Sequence, residues 1–570
     1  MAGRQEKGLA VHLVSLGCAK NLVDSERLLG EAARALRARV CASPEEADLV
    51  MVNTCAFIAA AQEEAVAAIF ELKSRMRPGA RLAVLGCLPA LHGGELAREL
   101  PEADLVMPAG GYAAFPGRLR ELFAGAPGDP DAAGGGGGPG AAAGAGAAPG
   151  TGSGAVRSAG GGSVAPGSPA PPSAARTPDA PFESWERARE GTPRFRSFLK
   201  IAEGCGRRCT YCLIPSIRGP LAPVPLDALV REAGSLSASG ALELTLVAQD
   251  LTAWRDGGKD LGHLCRALSE IGGIRWIRPM YLHPEALGRS LVLELRDNPK
   301  VVPYLDVPFQ HASPRILRAM GRGRTRPLEV VDMIRRAWPE AAVRTTLMTG
   351  FPGETEEDFR LLASFVEEAR LDHIGFFKFS PEEGTPAARM GGAVSRGTAE
   401  RRRRALSALQ RRVSRELNRA RVGSVAEILV EGPSEDAPEV ACGRGAFQAP
   451  DADGLVYFDG EQPEAGSMVL ARILKAGDYD LTAELVGSGR GDGGAGEARG
   501  SRGGGNRVKI GGAGRAGGAG KAGGPGKAGC PGRAGTGPGS GGPVPKGTGK
   551  DSAPAAARGR DASRTAGGAG

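Results

Sequence analysis

Apolar positions recur along this chain in three successive rhythms. Between residues 9 and 123, short apolar runs alternate with helical repeats. Leu9–Leu16 reads as a strand, and Asn21–Arg37 as a helix with Leu22, Leu28, Leu29 and Leu36 at helical intervals. Ala47–Asn53 has the continuous apolar content of a strand covered on both faces. Ala59–Met76 follows as a helix, then Arg81–Leu85 and Asp104–Met107 as strands. Such alternation predicts a parallel sheet with helices on both faces. From Phe198 to Phe379 it repeats six times. The strands are Phe198–Ala202, Leu242–Ala248, Ile274–Leu282, Val302–Phe309, Val343–Gly350 and His373–Ser380, with helices such as Leu226–Ser239, Leu261–Ile271 and Glu356–Ala369 between them. Six parallel strands predict a partial (β/α)6 barrel, open on one side. After a helix at Thr398–Arg421, the period falls to two. Ala426–Val430, Val440–Gly443, Gly454–Phe458, Met468–Leu474 and Asp480–Val486 fit a small OB-like β-barrel.

Two stretches have no rhythm. Residues 124–181 and 487–570 are Gly, Ala, Pro and Ser with too little apolar content for a core, which predicts disorder. The chain is thus expected to be an α/β multidomain protein: a sheet domain at 9–123, a mostly disordered linker at 124–189, the barrel at 190–420, the small barrel at 421–487, and a disordered basic tail at 488–570. As a flexible Gly-rich chain, the linker would span about 40 Å. It ties the first two domains together without fixing their geometry.

Charge changes the picture only at the end. The net charge of 570 residues is +8, but from Gly487 onward fourteen Lys/Arg face four Asp/Glu. The body is therefore near neutral and the tail basic. Two readings of the tail stand: contact with RNA through counterion release, or a solvated segment with no target. The start of the chain has no signal-peptide apolar run, and no apolar run reaches membrane length. The expectation is a cytoplasmic protein with reduced thiols and no membrane partner, in which clustered cysteines mean metal or catalysis.

Two cysteine sets carry the chemistry. Cys205, Cys209 and Cys212 stand at spacing C-x3-C-x2-C. Iron–sulfur clusters are usually held by four thiolates. Three leave one iron open, and an open position separates a catalytic metal from a structural one. A zinc knuckle would need a fourth ligand, and no residue nearby supplies one. Cys18, Cys55 and Cys87 each follow the C-terminal end of a predicted strand, on the edge where ligands of open parallel sheets bind. They form a second open triad, or three cysteines packed as small hydrophobes. Cys41 reads as a core residue on a strand. Gln249, Asp250, His283, Gln310, His311 and Gly350–Glu354 fall at the C-terminal ends of the barrel strands and read together as a pocket.

C-x3-C-x2-C with Tyr211 before its last cysteine, after the first strand of a partial barrel, resembles the radical S-adenosylmethionine superfamily. The resemblance implies that adenosylmethionine chelates the open iron and is split by one electron to a 5′-deoxyadenosyl radical. Gly350-Phe-Pro-Gly-Glu354 resembles the segment lining that cofactor. Tyr211, Gly350, Gly353 and Glu354 are the residues it implies for cofactor binding, and the six cysteines those for metal.

Ser15-Leu-Gly-Cys-Ala-Lys-Asn-Leu-Val-Asp-Ser-Glu26, Asn53-Thr-Cys-Ala-Phe and Gly86-Cys-Leu are similar to the methylthiotransferase family. The likeness covers about residues 9–123 and 190–487. Ser15–Cys18, Tyr304–Ser313, Glu382–Pro386 and Gln448–Gly454 resemble its branch that modifies an aspartate of a ribosomal protein. Ala19 and Ala56 depart from that branch, where proline and glycine are usual. The resemblance implies two [4Fe–4S] clusters and adenosylmethionine as cofactors, and no side chain acting as general acid or base. The product would carry a methylthio group on the β-carbon of an aspartate in protein twelve of the small ribosomal subunit, free or on the ribosome. A flavodoxin- or ferredoxin-like electron donor and a sulfur donor are implied partners. The small barrel resembles the TRAM domain. Its Asp451, Asp453, Asp459 and Glu461 predict an acidic face suited to a basic protein loop. Two other functions stay open: a transfer-RNA adenosine methylthiotransferase with the same chemistry, and a two-cluster electron carrier or scaffold. The two cysteine sets are expected to meet only when the domains dock over a substrate.

Overall fold

The computed structural model describes residues 8–124, 187–189 and 192–486. The expectations of disorder and RNA contact fall on stretches outside the described residues, apart from the last part of the linker.

The N-terminal domain runs β1 (Ala10–Ser15), α1 (Ala19–Ala35), β2 (Arg39–Val40), β3 (Leu49–Thr54), α2 (Ala59–Arg75), β4 (Arg81–Gly86), α3 (Cys87–Glu99), β5 (Leu105–Pro108) and α4 (Phe115–Phe123). Its strands form one parallel sheet in the order β2-β1-β3-β4-β5. Every residue of the central strand β3 is buried, because both faces are covered. Successive side chains alternate between faces. Leu49 and Met51 pack with Leu28, Leu29 and Ala32 of α1 and with Phe115 and Leu119 of α4. Val50 and Val52 pack with Ala65, Ile69 and Leu72 of α2. Cys41 is buried as expected, but it lies one residue past β2, where its thiol meets the carbonyls of Val11 and Ser43 at 3.4 Å each.

The central domain opens with β6 (Arg196–Lys200), then β7 (Ala202–Glu203), α5 (Ile214–Arg218), β8 (Ala222–Pro223), α6 (Leu226–Ala238), β9 (Glu243–Val247), α7 (Leu261–Ser269), β10 (Trp276–Pro279) and α8 (Arg289–Arg296). It continues with β11 (Tyr304–Asp306), α9 (Pro314–Ala319), α10 (Pro327–Ala337), β12 (Ala342–Thr349), α11 (Glu356–Ala369), β13 (His373–Lys378) and α12 (Arg396–Arg421). Strands β6, β9 and β10 form one parallel sheet and β11, β12 and β13 another, joined by an isolated bridge between Ile277 and Val301. The barrel is therefore partial, as expected. Strands β10 and β11 are shorter than their apolar runs: Pro279 ends one, while Pro303 and Pro308 flank the other, and proline has no N–H to give a ladder.

The last domain holds β14 (Val425–Pro433), β15 (Ala441–Gly445), β16 (Val456–Phe458), β17 (Met468–Ala476) and β18 (Leu481–Leu485), closed into a barrel in the order β14-β15-β16-β18-β17. Its Leu429 and Ala449 pack on Trp276, Tyr304 and Ala342, at the N-terminal ends of the central strands. Among the described residues no helix is long and apolar enough to cross a membrane.

Candidate active site

The three N-terminal cysteines stand on neighbouring strand ends because β1, β3 and β4 are neighbours in the sheet. Cys18 caps α1, Cys55 follows β3, and Cys87 opens α3. Close approach depends on Gly17, at φ +91: a Cβ there would lie 2.6 Å from the Cβ of Cys55. Asn21 Nδ2 donates to the carbonyls of Leu16 and Thr54, both at 2.9 Å, so one amide pins the first two loops together. Asn53 Nδ2 returns a bond to the Asn21 carbonyl at 3.0 Å.

The second triad sits on a loop clasped at its base. Strands β7 and β8 pair antiparallel, Ala202 with Pro223 and Glu203 with Ala222. Gly204, at φ +64, leaves room for the carbonyl of Pro220, where any Cβ would collide. Thr210 anchors the loop's far side, through its N–H to Met320 O (3.1 Å) and its hydroxyl to Ala319 O (2.8 Å). Arg207 reaches Asp250 at 2.8 Å.

Of the residues expected to line the cofactor, Tyr211 packs on a small cluster that contains Phe351. The loop and the Gly350–Glu354 turn are thus brought together. Glu354 has a different employment from Tyr211. Its buried carboxylate accepts from the N–H groups of Gly350 (2.6 Å) and Phe351 (3.2 Å) and from Arg402 (2.9 Å). It braces the turn from within. Gly353 offers its carbonyl to Arg315 at 2.6 Å. Burial pushes the Tyr211 phenol above its ordinary value, and the buried Arg322 guanidinium lies against both Tyr211 and Cys209.

Around this floor, several buried polar atoms have open valence. Both side-chain polar atoms of Gln249 lack hydrogen-bond partners, as do Asp306 Oδ1 and His311 Nε2, which lie 3.9 Å from Arg344 and 3.9 Å from Glu354. His311 Nδ1 accepts from the N–H groups of Ala312 and Ser313, both at 2.9 Å, so Nε2 carries the hydrogen. Burial lowers His311 to about 4 and His283 to about 3, and raises Asp306 to about 6. Buried polar atoms are nearly always satisfied. Polar atoms left without hydrogen bonds inside the barrel fit a polar cofactor and substrate.

The thiols differ in how their surroundings hold the proton. Among the described residues, no three His, Cys, Asp or Glu side chains converge around one point. Burial raises Cys55, Cys87 and Cys205, and raises Cys212 to about 12. At Cys18, burial is outweighed by Lys20 and Arg218, and the thiol lies below its ordinary value.

The two triads stand on the two sides of one seam, which is sealed by buried ion pairs. Arg218, at the end of the second cysteine loop, reaches Asp24 (2.9 Å), Glu203 (3.1 Å) and the Cys87 sulfur (3.5 Å), and also Asn21 Oδ1. Lys200 joins Asp24 and, at 2.7 Å, Glu203. Arg27 and Arg187 share Glu232, and Arg187 adds Glu26 at 3.0 Å. The end of the linker is thus part of the structure: Arg187 is fixed in the seam, beyond the 124–181 stretch read as lacking a core. The two domains meet directly along this seam. Glu382, in a branch-marking segment, accepts from Ala59 N–H at 3.1 Å and completes the start of α2 across the seam.

Of the expected acidic face, Asp451, Asp459 and Glu461 are exposed, while Asp453 is drawn into the molecule. Asp453 accepts from Tyr304 OH at 2.7 Å and pairs with Arg344, and Asp451 pairs with Arg196 at 2.8 Å. The branch-marking segments 304–313 and 448–454 therefore touch each other. Arg444 and Arg278 enclose Glu243 at 2.6 and 2.7 Å, a second buried seam. The sequence reading missed Arg218, Lys20 and Arg322. Their one visible signal was nearness to cysteine loops.

A partial barrel with an open C-x3-C-x2-C loop, beside a sheet domain with a second triad, defines the radical adenosylmethionine class of methylthiotransferases. Profile comparison agrees. Residues 199–366 match the radical SAM superfamily, 10–108 match the uncharacterized protein family UPF0004, and 422–486 match the TRAM domain. The chain is 39% identical over 482 residues to a protein of Pelobacter propionicus called ribosomal protein uS12 methylthiotransferase RimO, covering 83% of this chain and 97% of that one. A protein of Moorella thermoacetica with the same name is 40% identical, covering 84% and 99%. Among solved structures, the radical S-adenosylmethionine methyltransferase TsrM of Kitasatospora setae, bound to cobalamin and a [4Fe–4S] cluster, aligns at TM-score 0.42 and 16% identity over 67% of this chain and 74% of that one. The chain belongs to the RimO family of radical SAM methylthiotransferases. It is an enzyme, with adenosylmethionine and [4Fe–4S] clusters as its cofactors.

Proposed function

We propose that this enzyme places a methylthio group on the β-carbon of an aspartate in ribosomal protein uS12, in the cytoplasm, using two clusters. The observation that carries the reading is the sealed seam with one open cysteine triad on each side. Cys205, Cys209 and Cys212 would hold the cluster that binds adenosylmethionine. Cys18, Cys55 and Cys87 would hold the cluster that carries sulfur. When bound, these groups supply the radical that removes hydrogen and the methylthio unit that replaces it. The protein's own residues position and exclude water. Glu354 shapes the turn whose backbone would line the cofactor, Tyr211 packs beneath it, and Arg218 sets one triad against the other. A flavodoxin- or ferredoxin-like protein would deliver electrons, and a separate donor the sulfur.

The test is mass spectrometry of uS12 and of transfer RNA from a deletion strain. Loss of the methylthio mass from uS12 is expected. Loss from transfer RNA alone would sink the reading in favour of an RNA substrate. Purified enzyme that forms no 5′-deoxyadenosine under reduction would instead make it an electron carrier.

A further inference from the structure

We propose that Lys20 is the anchor for the carboxylate of the aspartyl side chain that the enzyme modifies; the inference rests on the reading above and names the group that selects the substrate. Lys20 stands two residues after Cys18, at the start of α1, and is 9% exposed. Its ammonium lies 4.0 Å from the centre of the Tyr281 ring. Tyr281 follows β10, at the mouth of the central barrel, and holds a left-handed backbone (φ 56) that few non-glycine residues adopt. Its neighbours Cys18, Ala19 and Tyr281, though not Lys20 itself, line a cavity of about 340 Å³ with Thr245, Val247 and Asp451, whose carboxylate is paired with Arg196.

The carboxylates of the seam leave this lysine without an ion pair, and its charge acts on the Cys18 thiol. Lys200 and Arg218 face Asp24 and Glu203, while Arg27 and Arg187 face Glu26 and Glu232. Among the described residues no carboxylate comes within ion-pair distance of Lys20, and its ammonium donates no hydrogen bond. Asp306, behind Tyr281, is turned to the Tyr281 N–H at 3.0 Å. A cation at a helix N-terminus also has the unfavourable sign with respect to the helix dipole. A buried ammonium in this setting is costly unless it is paired, and the aromatic face offsets only part of that cost. A visiting carboxylate, set beside Cys18, would complete it. A neutral base would not.

The probe is a fluorescent peptide of the uS12 loop with its target Asp, compared with the same peptide carrying Asp→Asn. Binding by anisotropy is read with wild-type protein, Lys20→Met and Lys20→Arg. Wild-type protein should prefer Asp over Asn by roughly tenfold to a hundredfold, the worth of a charged hydrogen bond shielded from water. Lys20→Met should shrink that ratio to near one, and Lys20→Arg should restore part of it. An equal loss for both peptides would make Lys20 merely structural and overturn the proposal. So would full Asp preference in Lys20→Met, whether accompanied by weakened adenosylmethionine binding or by a shifted cluster potential. Methylthiolation of uS12 is followed in the same wild-type preparation. Its absence removes the underlying reading, whereas product with unchanged discrimination in Lys20→Met removes Lys20 alone.

Discussion

The two cysteine triads reach the same composition by opposite routes. Cys205, Cys209 and Cys212 share one loop of eight residues, and their mutual placement is a local matter of Gly204, the β7–β8 clasp and Thr210. Cys18, Cys55 and Cys87 are separated by tens of residues. They meet because a parallel sheet sets β1, β3 and β4 side by side. The first site needs a loop to hold its shape. The second needs a whole domain to be folded.

The largest effect should come from deleting either set. Replacing Cys205, Cys209 and Cys212 by Ala should abolish 5′-deoxyadenosine formation and remove about half the iron. Replacing Cys18, Cys55 and Cys87 should also remove about half the iron but leave adenosylmethionine cleavage measurable, with no methylthio product. Iron analysis and chromatography separate the two outcomes, and total iron loss in either variant would break the idea of independent sites. Next in size is a matched pair of glycine changes. Gly17→Ala should cost the N-terminal cluster, since its new methyl meets Cys55, while Gly204→Ala should cost the barrel cluster, since its methyl meets the Pro220 carbonyl. Equal iron content in both variants and wild type would show that neither approach matters.

Arg218→Met should be smaller but still severe. It strands Asp24 and Glu203 in the seam, and breaking a buried pair costs about 3–5 kcal/mol. A urea titration reads it, and a change below 1 kcal/mol would mean that water enters the seam freely. The smallest effect is on acid stability. Buried against Arg444 and Arg278, Glu243 is lowered to about 2. Its folded value lies below its unfolded one, so its contribution is complete above about pH 4.3 and fades as pH falls toward 2. Glu243→Gln should flatten the loss of stability over that window, measured by thermal melts at several pH values. An unchanged slope would assign the acid sensitivity elsewhere.

The same contrast explains what could be read from residues alone. The contiguous loop is legible at sight. The scattered triad is legible because strand and helix rhythms place each cysteine at an equivalent turn. The seam is not. Lys20, Asn21, Asp24, Glu26 and Arg27 lie on α1, whose apolar stripe is Leu28, Leu29 and Ala32; yet all of these are buried. A polar helix face covered by another domain has the pattern of one covered by water. Asp453 misleads for the same reason, since a charge matched by an arginine distant in sequence looks like part of the exposed acidic patch around it. Lengths of β10 and β11 were overread because apolar content outlasts the ladder where proline interrupts it.

Helix α1 also has a consequence for how this protein can change over time. Cys18, Asn21, Asp24 and Arg27 fall at intervals of three residues along one rigid rod, a run of about 13 Å at 1.5 Å per residue. The first belongs to one triad, and the last three grip the domain that holds the other. The separation of the two sets is therefore gauged by a helix, not by the connection between domains. Each doubling of such a connection shifts closure entropy by only about 0.6 kcal/mol. The Gly-Ala-Pro-Ser stretch between the domains can lengthen, shorten or change composition across lineages while the chemistry keeps its spacing.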